Sequence, residues 1–382
     1  MIVTLQILFW LCVSVVAYVY FGYPLLLVIL TKLRPAPPVQ KADIIPTVSL
    51  IIPAYNEEKV IAQKIENTLA LDYPANKLQI IVVSDGSTDG TNKIVRRYEA
   101  QGVKLVALGK NQGKSAAENM GLEAATGDIV VFSDATGMYS LDALRNLVSP
   151  FCDAKVGCVA GLVKYENTNV TSVSSGEGAY WRYEIFLRLL ESRIGNLAMA
   201  SGSILACRRS LVESLDEAVG EDFVIPMKAA MQGFRTVYAT NAVSRELIVE
   251  TDHSLLKTKV RIITKDLRGL FTCWVILNPF RYPLFAWGLI SHKLLRWLVP
   301  YFLIVLFTFN FLLVSQSFYS LTLGPQIAFY VSAVAGYLRQ KTSKPLRILN
   351  LPFSFCLVNL AALVGVARFI IGKKARRWVP VR

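Results

Sequence analysis

The chain has 382 residues, of which 53% are hydrophobic, and a net charge of +14 at pH 7. Its mean hydropathy of +0.43 is high for a wholly soluble protein, and the excess lies in three stretches without a charged side chain: residues 1–31, 297–338 and 348–367. The basic residues are scattered or lie beside these stretches, and no nucleic-acid-binding motif accompanies them. This pattern argues against nucleic acid as a partner and is typical of contact with anionic lipid.

The charge-free stretches predict membrane spans. A bilayer core needs about 20 apolar residues in a helix, so the first stretch predicts one span, the second two and the third one. A cleaved signal peptide would have a basic residue before a shorter apolar core. Here Lys32 and Arg34 follow the run, so we expect residues 1–34 to be a retained anchor with the next domain in the cytoplasm.

Residues 35–47 are rich in proline and predict a linker. From residue 48 to residue 268, apolar strand patterns alternate with helix patterns, which implies a mostly parallel sheet covered on both faces. The predicted strands are 48–52, 79–83, 103–108 and 128–132, and the predicted helices are 56–70, 87–100, 115–125 and one from Leu141. Ligands bind at the carboxyl ends of such strands, where Asn56 (also a helix-cap candidate), Asp85 and Asp134 lie, so one shared site is expected.

The remainder of the chain predicts helices at the membrane. Residues 176–194 have the pattern of an amphipathic helix. Prolines interrupt the apolar stretch 269–293, which predicts interfacial helices, with a broken transmembrane span as the alternative. Residues 294–372 predict about three transmembrane helices, and residues 373–382 a basic tail. A last span through Ile371 would place this tail opposite the cytoplasmic domain, against the positive-inside rule. A re-entrant last segment, a spanning 269–293 stretch or an exceptional tail would each account for this conflict.

Several polar residues could contribute chemistry. Asp85 could accept hydrogen bonds from a nucleoside, and Asp134 could hold a divalent cation that bridges diphosphate oxygens. Either could instead be a turn residue. Asp222, next to Glu221, could act as a general base, or both could simply favour a helix N-terminus. Lys114 could approach a phosphate or be solvated.

Other classes of site find no support in the sequence. Leu108 stands where a P-loop needs its first glycine, and no GxGxxG follows the first strand, which argues against an ATPase or a dehydrogenase. The six cysteines form no CxxC pair, and the chain has only two histidines. A zinc ribbon, a thioredoxin-like motif or a His-rich metal site is therefore not expected.

Five motifs occur in one order: SLIIPAYNEE (49–58), VVSDGSTDGT (82–91), GKNQGKSAAENMG (109–121), FSDAT (132–136) and GEDF (220–223). In this order they resemble membrane-embedded members of glycosyltransferase family 2, such as hyaluronan, chitin and cellulose synthases. The resemblance covers about Thr47 to Pro300. It implies a GT-A fold, which is an α/β, Rossmann-like and mostly parallel sheet, here with transmembrane α-helices. It also implies a nucleotide-sugar donor and Mg or Mn as cofactor.

The resemblance also implies roles for individual residues. The residues matching donor-binding motifs are Pro53, Ala54, Tyr55, Glu57, Asp85, Lys114, Asn119 and Asp134. Asp134 matches the first acid of the metal-binding DxD motif. Glu221 and Asp222 match the catalytic ED pair, with Asp222 as the base. The residues matching the acceptor side are Ser201, Gly202, Ser203 and Arg261.

Two positions depart from the family pattern. Thr136 replaces the second acid of DxD, which puts the metal in doubt. The QxxRW signature of processive synthases is degraded, and two places compete for it: residues 259–263 with Arg261, and KLLRW at 293–297 with Arg296. A juxtamembrane cation is the simpler interpretation of Arg296. The missing glutamine favours addition of a sugar to a lipid-linked acceptor over a processive synthase.

Together these features predict an inverting glycosyltransferase that moves a sugar from a UDP-sugar to a polysaccharide or lipid-linked acceptor and forms a β-linkage. We expect a multi-pass protein of a bacterial inner membrane, with a cytoplasmic catalytic domain in contact with the lipid bilayer. The alternative is a non-catalytic transporter or scaffold with a degenerate transferase domain. A nucleotidyltransferase would leave Glu221 and Asp222 without an explanation. The donor sugar, the acceptor and the oligomeric state do not follow from the sequence.

Overall fold

A computed structural model describes residues 2–166, 172–216, 219–247, 252–339 and 347–372. Its centre is an eight-stranded sheet with the order β3-β2-β1-β4-β7-β6-β8-β5. The strands are β1 Val48–Ala54, β2 Leu78–Ser84, β3 Val103–Ala107, β4 Ile129–Phe132, β5 Met138–Tyr139, β6 Val156–Glu166, β7 Leu205–Arg208 and β8 Arg235–Leu247. Strand β1 pairs in parallel with β2 and β4, and β2 pairs in parallel with β3. The four strands predicted from the sequence therefore pair in parallel, as expected for the predicted mostly parallel sheet.

Two hydrophobic cores lie on the two faces of this sheet, because every residue of β1 is buried and successive side chains point to opposite faces. The helices of the domain are α3 Ile61–Leu69, α4 Thr91–Arg96, α5 Lys114–Ala124, α6 Ala143–Val148, α7 Ser172–Arg193, α8 Glu221–Met231 and α9 Asp252–Thr272. Helix α3 begins five residues later than Asn56, its predicted cap. Asn56 instead has a left-handed φ of 55° and accepts a hydrogen bond from Thr88 N, as asparagine does in turns.

Four helical runs are long and apolar enough to cross a membrane: Ile2–Leu33, Pro283–Leu312, Ser317–Arg339 and Ile348–Ile370. The first comprises α1 Ile2–Ala17, a π turn Tyr18–Gly22 and α2 Tyr23–Leu33. The second comprises α10 Pro283–Leu289, a π turn Ile290–Leu294 and α11 Leu295–Leu312. Helix α12 is Ser317–Arg339 and helix α13 is Arg347–Ile370. The basic tail 373–382 lies outside the described residues.

The predicted interfacial stretch divides into two parts. Trp274–Leu277 forms a short 3-10 turn, whereas Pro283 begins the helix that continues into α11. Proline is favourable at this first position because its missing N–H would have no helical partner there.

The two π turns lie side by side. Tyr18 Oη is 2.7 Å from Ser291 Oγ and accepts a hydrogen bond of 2.8 Å from Trp287 Nε1. Helix α7 reaches the same level, where Tyr183 Oη donates to the carbonyl of Tyr20 at 3.1 Å. The sheet domain is thereby fixed, through α7, to the first two candidate spans.

Helix α13 packs along α9 of the sheet domain. A Cβ at Gly365 would lie 2.9 Å from Ile263 Cγ2, so the two helices approach closely. Phe369 stacks on Phe271 at 5.0 Å, and Arg268 donates to the carbonyl of Gly372 at 3.4 Å. The end of α13 therefore lies beside the sheet domain.

Candidate active site

The carboxyl ends of β1 and β4 and the start of α8 open into a cleft with a volume of about 1070 Å³. Its sheet half is lined by residues predicted from separate motifs, among them Glu57, Lys114, Asp134, Ser201 and Asp222. Its membrane half is lined by α7, α9, the start of α11 and α13. One cavity thus joins the strand ends to the candidate spans.

Lys114 connects the acidic motifs of the sheet half. Its Nζ lies 2.7 Å from Asp134 Oδ1 and 2.7 Å from Glu221 Oε1, and 3.7 Å from Glu118 Oε1. Burial alone would lower the pKa of Lys114, but these three carboxylates raise it well above its usual value. The ammonium therefore stays charged at neutral pH and holds Asp134 near Glu221.

Glu221 and Gly202 fit closely together. Glu221 is 4% exposed. Burial would raise the pKa of this carboxyl, but the charge of Lys114 lowers it to about 2. A Cβ at Gly202 would lie 2.3 Å from Glu221 Oε1 and 3.0 Å from Lys114 Nζ, so only glycine leaves room for this ion pair. Gly202 belongs to the predicted acceptor-side motif, in which Ser201 Oγ and Ser203 Oγ are 3.1 Å apart.

Asp222 lies in the first turn of α8 and lines the cleft. Burial and the charge of Glu221 raise its pKa to about 6, which suits a general base at neutral pH. Asp266 of α9 lies close by, since a Cβ at Gly220 would be 2.9 Å from Asp222 Oδ1 and 3.5 Å from Asp266 Oδ1. Burial and the charge of Asp222 raise the pKa of Asp266 well above its usual value. Sequence reasoning missed Asp266, because no motif surrounds it.

Asp134 faces the cleft with a side chain that is 33% exposed. Glu246 Oε1 is buried and has no hydrogen-bond partner within the described part of the chain. Both residues border Gly137, whose Cβ would lie 3.5 Å from Glu246 Oε1 and 3.6 Å from the carbonyl oxygen of Asp134. Burial and the charge of Asp134 raise the pKa of Glu246 to about 7.

The described residues contain no group of three His, Cys, Asp or Glu side chains arranged to hold a metal ion. Mg²⁺ is commonly bound through one or two carboxylates together with the phosphates of a substrate. Asp134 and the unpartnered oxygen of Glu246 fit such a shared site, whereas an all-protein cage does not fit.

Two residues predicted to bind the sugar donor, Asp85 and Asn119, lie away from the cleft. Asp85 is completely buried, and its carboxylate accepts hydrogen bonds from Gln112 N at 2.7 Å and Gly113 N at 2.8 Å. Asn119 exchanges two 2.8 Å hydrogen bonds with the backbone of Leu215. Among the described residues that line the cleft, neither appears. Asp85 shapes the turn before Lys114, and Asn119 holds the segment that leads to α8.

In the motif at the end of β1, some residues are buried in the strand and others reach the cleft. Pro53 and Ala54 are buried within the strand, and Tyr55 is partly buried beyond its end. Glu57 lines the cleft, and its backbone N donates to Thr91 Oγ1 at 2.8 Å. The motif thus joins the first strand to the loop before α4.

The two competing arginines both line the membrane half of the cleft. Arg261 lies on α9 and Arg296 at the start of α11. The Arg296 guanidinium is 3.0 Å from Glu184 Oε2 and lies 4.9 Å from the centre of the Tyr180 ring. Arg296 is therefore built into the cleft and is more than a juxtamembrane cation.

Glu184 of α7 is the centre of a buried cationic cluster that no motif indicated. It is 3% exposed and lies 3.0 Å from Lys293 Nζ and 3.2 Å from His292 Nε2. Burial would raise the pKa of Glu184, but Lys293, His292 and Arg296 hold it well below its usual value. Helix α7 is thereby fixed to the entry of the second candidate span.

We next compared the chain with known protein families. The profile of glycosyl transferase family 2 matches residues 49–216. This region of the chain is therefore similar to glycosyl transferase family 2 domains. Four of the five motifs lie within the matched region, which contains Lys114 and Asp134 of the cleft, and GEDF (220–223) lies beyond its end.

Curated relatives have names consistent with this family. The chain is 29% identical over 229 residues to a probable glycosyltransferase, YdaM, of Bacillus subtilis, which covers 54% of this chain and 52% of the relative. It is 28% identical over 225 residues to a poly-beta-1,6-N-acetyl-D-glucosamine synthase of Staphylococcus aureus, with 56% and 53% covered. The chain thus spans about half the length of the curated relatives it matches.

Among solved structures, the chain resembles the mannosyltransferase PcManGT of Pyrobaculum calidifontis, which was determined with GDP-Man and Mn²⁺. The TM-score is 0.73 at 23% sequence identity, and the match covers 96% of this chain and all of the other. This likeness confirms the predicted GT-A-like fold class.

Proposed function

We propose that this protein is an inverting glycosyltransferase. It moves a sugar from a nucleoside diphosphate sugar, with UDP as the nucleotide, to an acceptor hydroxyl on a glycan or lipid-linked molecule at the membrane face, and it forms a β-linkage. The proposal rests on one observation: Asp222, with a pKa raised to about 6, lines the same cleft as Lys114 and Asp134.

In this mechanism the donor diphosphate lies against Lys114 and Asp134. The Lys114 ammonium offsets negative charge that develops on the leaving diphosphate. A divalent cation bound by Asp134, with Glu246 facing the same space, would add Lewis-acid stabilisation of that leaving group. Mn²⁺ in PcManGT supports this cofactor, whereas the choice between Mg and Mn follows from no residue here.

Asp222 acts on the acceptor. Its carboxylate takes the proton from the attacking hydroxyl while the hydroxyl oxygen bonds to the anomeric carbon and the bond to the diphosphate breaks. A single base without a covalent intermediate is enough for inversion. An α-linked donor therefore gives a β-linked product. Asp266 shares the space beside Asp222, and burial together with the charge of Glu221 keeps the pKa of Asp222 high.

The relatives support the choice of donor in part. The poly-beta-1,6-N-acetyl-D-glucosamine synthase and an N-acetylglucosaminyltransferase of Bradyrhizobium diazoefficiens are named for an N-acetylhexosamine, whereas PcManGT was determined with GDP-Man. The candidate spans and the basic residues after the first span support an integral membrane protein with a cytoplasmic catalytic domain. A non-catalytic transporter is less well supported, since the acidic motif residues Asp134, Glu221 and Asp222 come together on the sheet side of the cleft.

The experiment is a screen of UDP-sugars and GDP-mannose with the purified full-length protein in detergent, with and without Mg²⁺ or Mn²⁺. Release of nucleotide from one UDP-sugar, together with a β-configured product by NMR, is the expected result. Turnover of GDP-mannose alone would contradict the proposed donor class. An α-configured product would contradict inversion.

A further inference from the structure

The two halves of the cleft differ in charge. Among the residues that the structure describes, the membrane half is lined by the five cations Arg188, Lys259, Arg261, Lys293 and Arg296 and by the two carboxylates Glu184 and Asp266. The sheet half has the opposite balance, with Glu57, Asp134, Glu166, Asp222 and Glu246 against Lys59, Lys114 and Arg245. Because positive charge predominates in the membrane half, this part of the cleft favours an anion.

Arg188 of α7 provides the most specific indication of that anion. It is 4% exposed, and its Nε has no hydrogen-bond partner within the residues that the structure describes. Glu184 Oε1 lies 4.0 Å away, beyond hydrogen-bond distance. The guanidinium rests 5.1 Å from the centre of the Trp181 ring. A buried guanidinium N–H without an acceptor is costly, so an acceptor oxygen from a ligand would stabilise it.

Glu184 does not supply this acceptor, because its Oε1 lies 4.0 Å from Arg188 Nε while other cations contact it more closely. Lys293 Nζ lies 3.0 Å from Glu184 Oε1, and Arg296 Nη1 lies 3.0 Å from Glu184 Oε2. Three cations therefore surround one carboxylate, and positive charge is left over at the cleft wall.

An apolar wall continues from these cations. It is formed by Ile262 of α9 and by Val358 and Ala362 of α13. Ile262 is 40% exposed, although it lies on a helix packed against a candidate span. An isoprenoid or acyl chain could lie on such a wall and continue into the bilayer, whereas a free polar glycan would gain nothing from it.

We propose that the membrane half of the cleft is an acceptor site for a lipid whose head group is joined to it through a phosphoryl group. Arg188 donates to a phosphoryl oxygen beside Lys293 and Arg296, and the lipid chain lies along Ile262 and Val358. This inference rests on the proposed function and narrows its acceptor. The reacting group is a hydroxyl of the head group, because an ionised phosphate oxygen would need no base such as Asp222.

Binding of farnesyl phosphate to the full-length protein in detergent tests this site separately from turnover. Isothermal titration is carried out with farnesyl phosphate, farnesol and inorganic phosphate, each with and without saturating UDP and Mg²⁺. We expect farnesyl phosphate to bind about tenfold or more tightly than either of the others, and UDP not to displace it. Equal binding of farnesol, or displacement by UDP, would overturn the proposal, since displacement would assign the cations to the donor diphosphate.

Two variants locate the contact. Arg188→Gln should weaken farnesyl phosphate binding by about tenfold or more, with UDP binding unchanged. Val358→Trp should weaken farnesyl phosphate but not inorganic phosphate, and it serves if Arg188→Gln fails to fold. Arg145→Gln is the matched control, because Arg145 forms its ion pairs with Asp43 and Asp72 outside the cleft.

The outcomes separate this inference from the proposed function. Farnesyl phosphate binding that neither Arg188→Gln nor Val358→Trp alters would overturn the acceptor site, even if nucleotide release in the donor screen persists. Failure of the donor screen with intact, Arg188-dependent binding would overturn the glycosyltransferase proposal and leave the lipid site standing.

Discussion

Replacement of Asp222 by asparagine tests the proposed base. The amide has nearly the same shape as the carboxylate but cannot accept a proton, so the acceptor hydroxyl would have to attack without general-base assistance. Such assistance contributes roughly 10²- to 10⁴-fold to a rate, and we expect a loss of sugar transfer in this range. The Lys114 contacts with Asp134 and Glu221, at 2.7 Å each, do not involve Asp222, so nucleotide binding should be nearly unchanged.

The rate of sugar transfer should also depend on pH, because Asp222 must be ionised to act as the base. With a pKa of about 6, Asp222 is about nine-tenths ionised at pH 7. Below pH 6 the ionised fraction falls about tenfold per pH unit, so transfer by the wild type should decline in the same way. The residual activity of the Asp222→Asn protein should lack this dependence.

The assay measures transfer of radiolabelled sugar and binding of UDP for the wild type, for Asp222→Asn and for a control, Asp142→Asn. Asp142 is exposed directly before α6 and accepts a hydrogen bond from Asn146, so its replacement should leave transfer unchanged. Normal transfer by Asp222→Asn, or a wild-type profile without a decline near pH 6, would refute the assignment of the base.

Three further changes probe the rest of the site. Asp85→Asn should weaken one or both buried hydrogen bonds to the turn before Lys114, at a cost of roughly 1.5–3 kcal/mol. The expected result is a lower melting temperature and weaker UDP binding. An unchanged melting temperature and unchanged UDP binding would argue against a positioning role for Asp85. Gly202→Ala places a Cβ 2.3 Å from Glu221 Oε1 and should reduce transfer more than it reduces the melting temperature, whereas full activity would mean that Glu221 moves without consequence. Asp134→Asn should abolish stimulation of nucleotide release by Mn²⁺ or Mg²⁺ in a metal titration, and retained stimulation would exclude Asp134 as the metal ligand.

A stability measurement also follows from Asp222. The pKa of this buried carboxyl is higher in the folded protein, at about 6, than its ordinary value of 3.8. Its ionisation therefore costs stability as the pH rises from about 4 through 6. Asp222→Asn should melt at a higher temperature than the wild type at pH 7, and this difference should vanish near pH 4. A lower melting temperature at pH 7 would contradict the burial of this charge.

Local patterns predicted much of the site, but they did not predict the direction of each side chain. The strand ends at Asp85 and Asp134 look alike in the sequence, since each aspartate follows a short apolar run. Only Asp134 faces the cleft, because the turn at Gln112 and Gly113 folds over Asp85 and offers it two amide N–H groups. A turn from a distant part of the chain decided this difference.

Other functional candidates are visible only in three dimensions. Arg188 and Asp266 lie on different helices without a motif around either, and each lies near the charge of Asp222, which is distant from both in sequence. Their burial next to groups of like or opposite charge cannot be inferred from their neighbours along the chain.

The sequence by itself determined the alternation of strands and helices, the charge-free runs and the order of the acidic motifs, because apolar periodicity and composition are local properties. Only the tertiary structure decided where the last apolar run lies. Helix α13 packs on α9, and Arg268 donates a hydrogen bond to the carbonyl of Gly372, two residues after the helix ends, so the end of this run lies beside the sheet domain. The deciding contacts, such as Gly365 against Ile263, join residues about 100 positions apart in sequence, and such packing is beyond the reach of any local pattern.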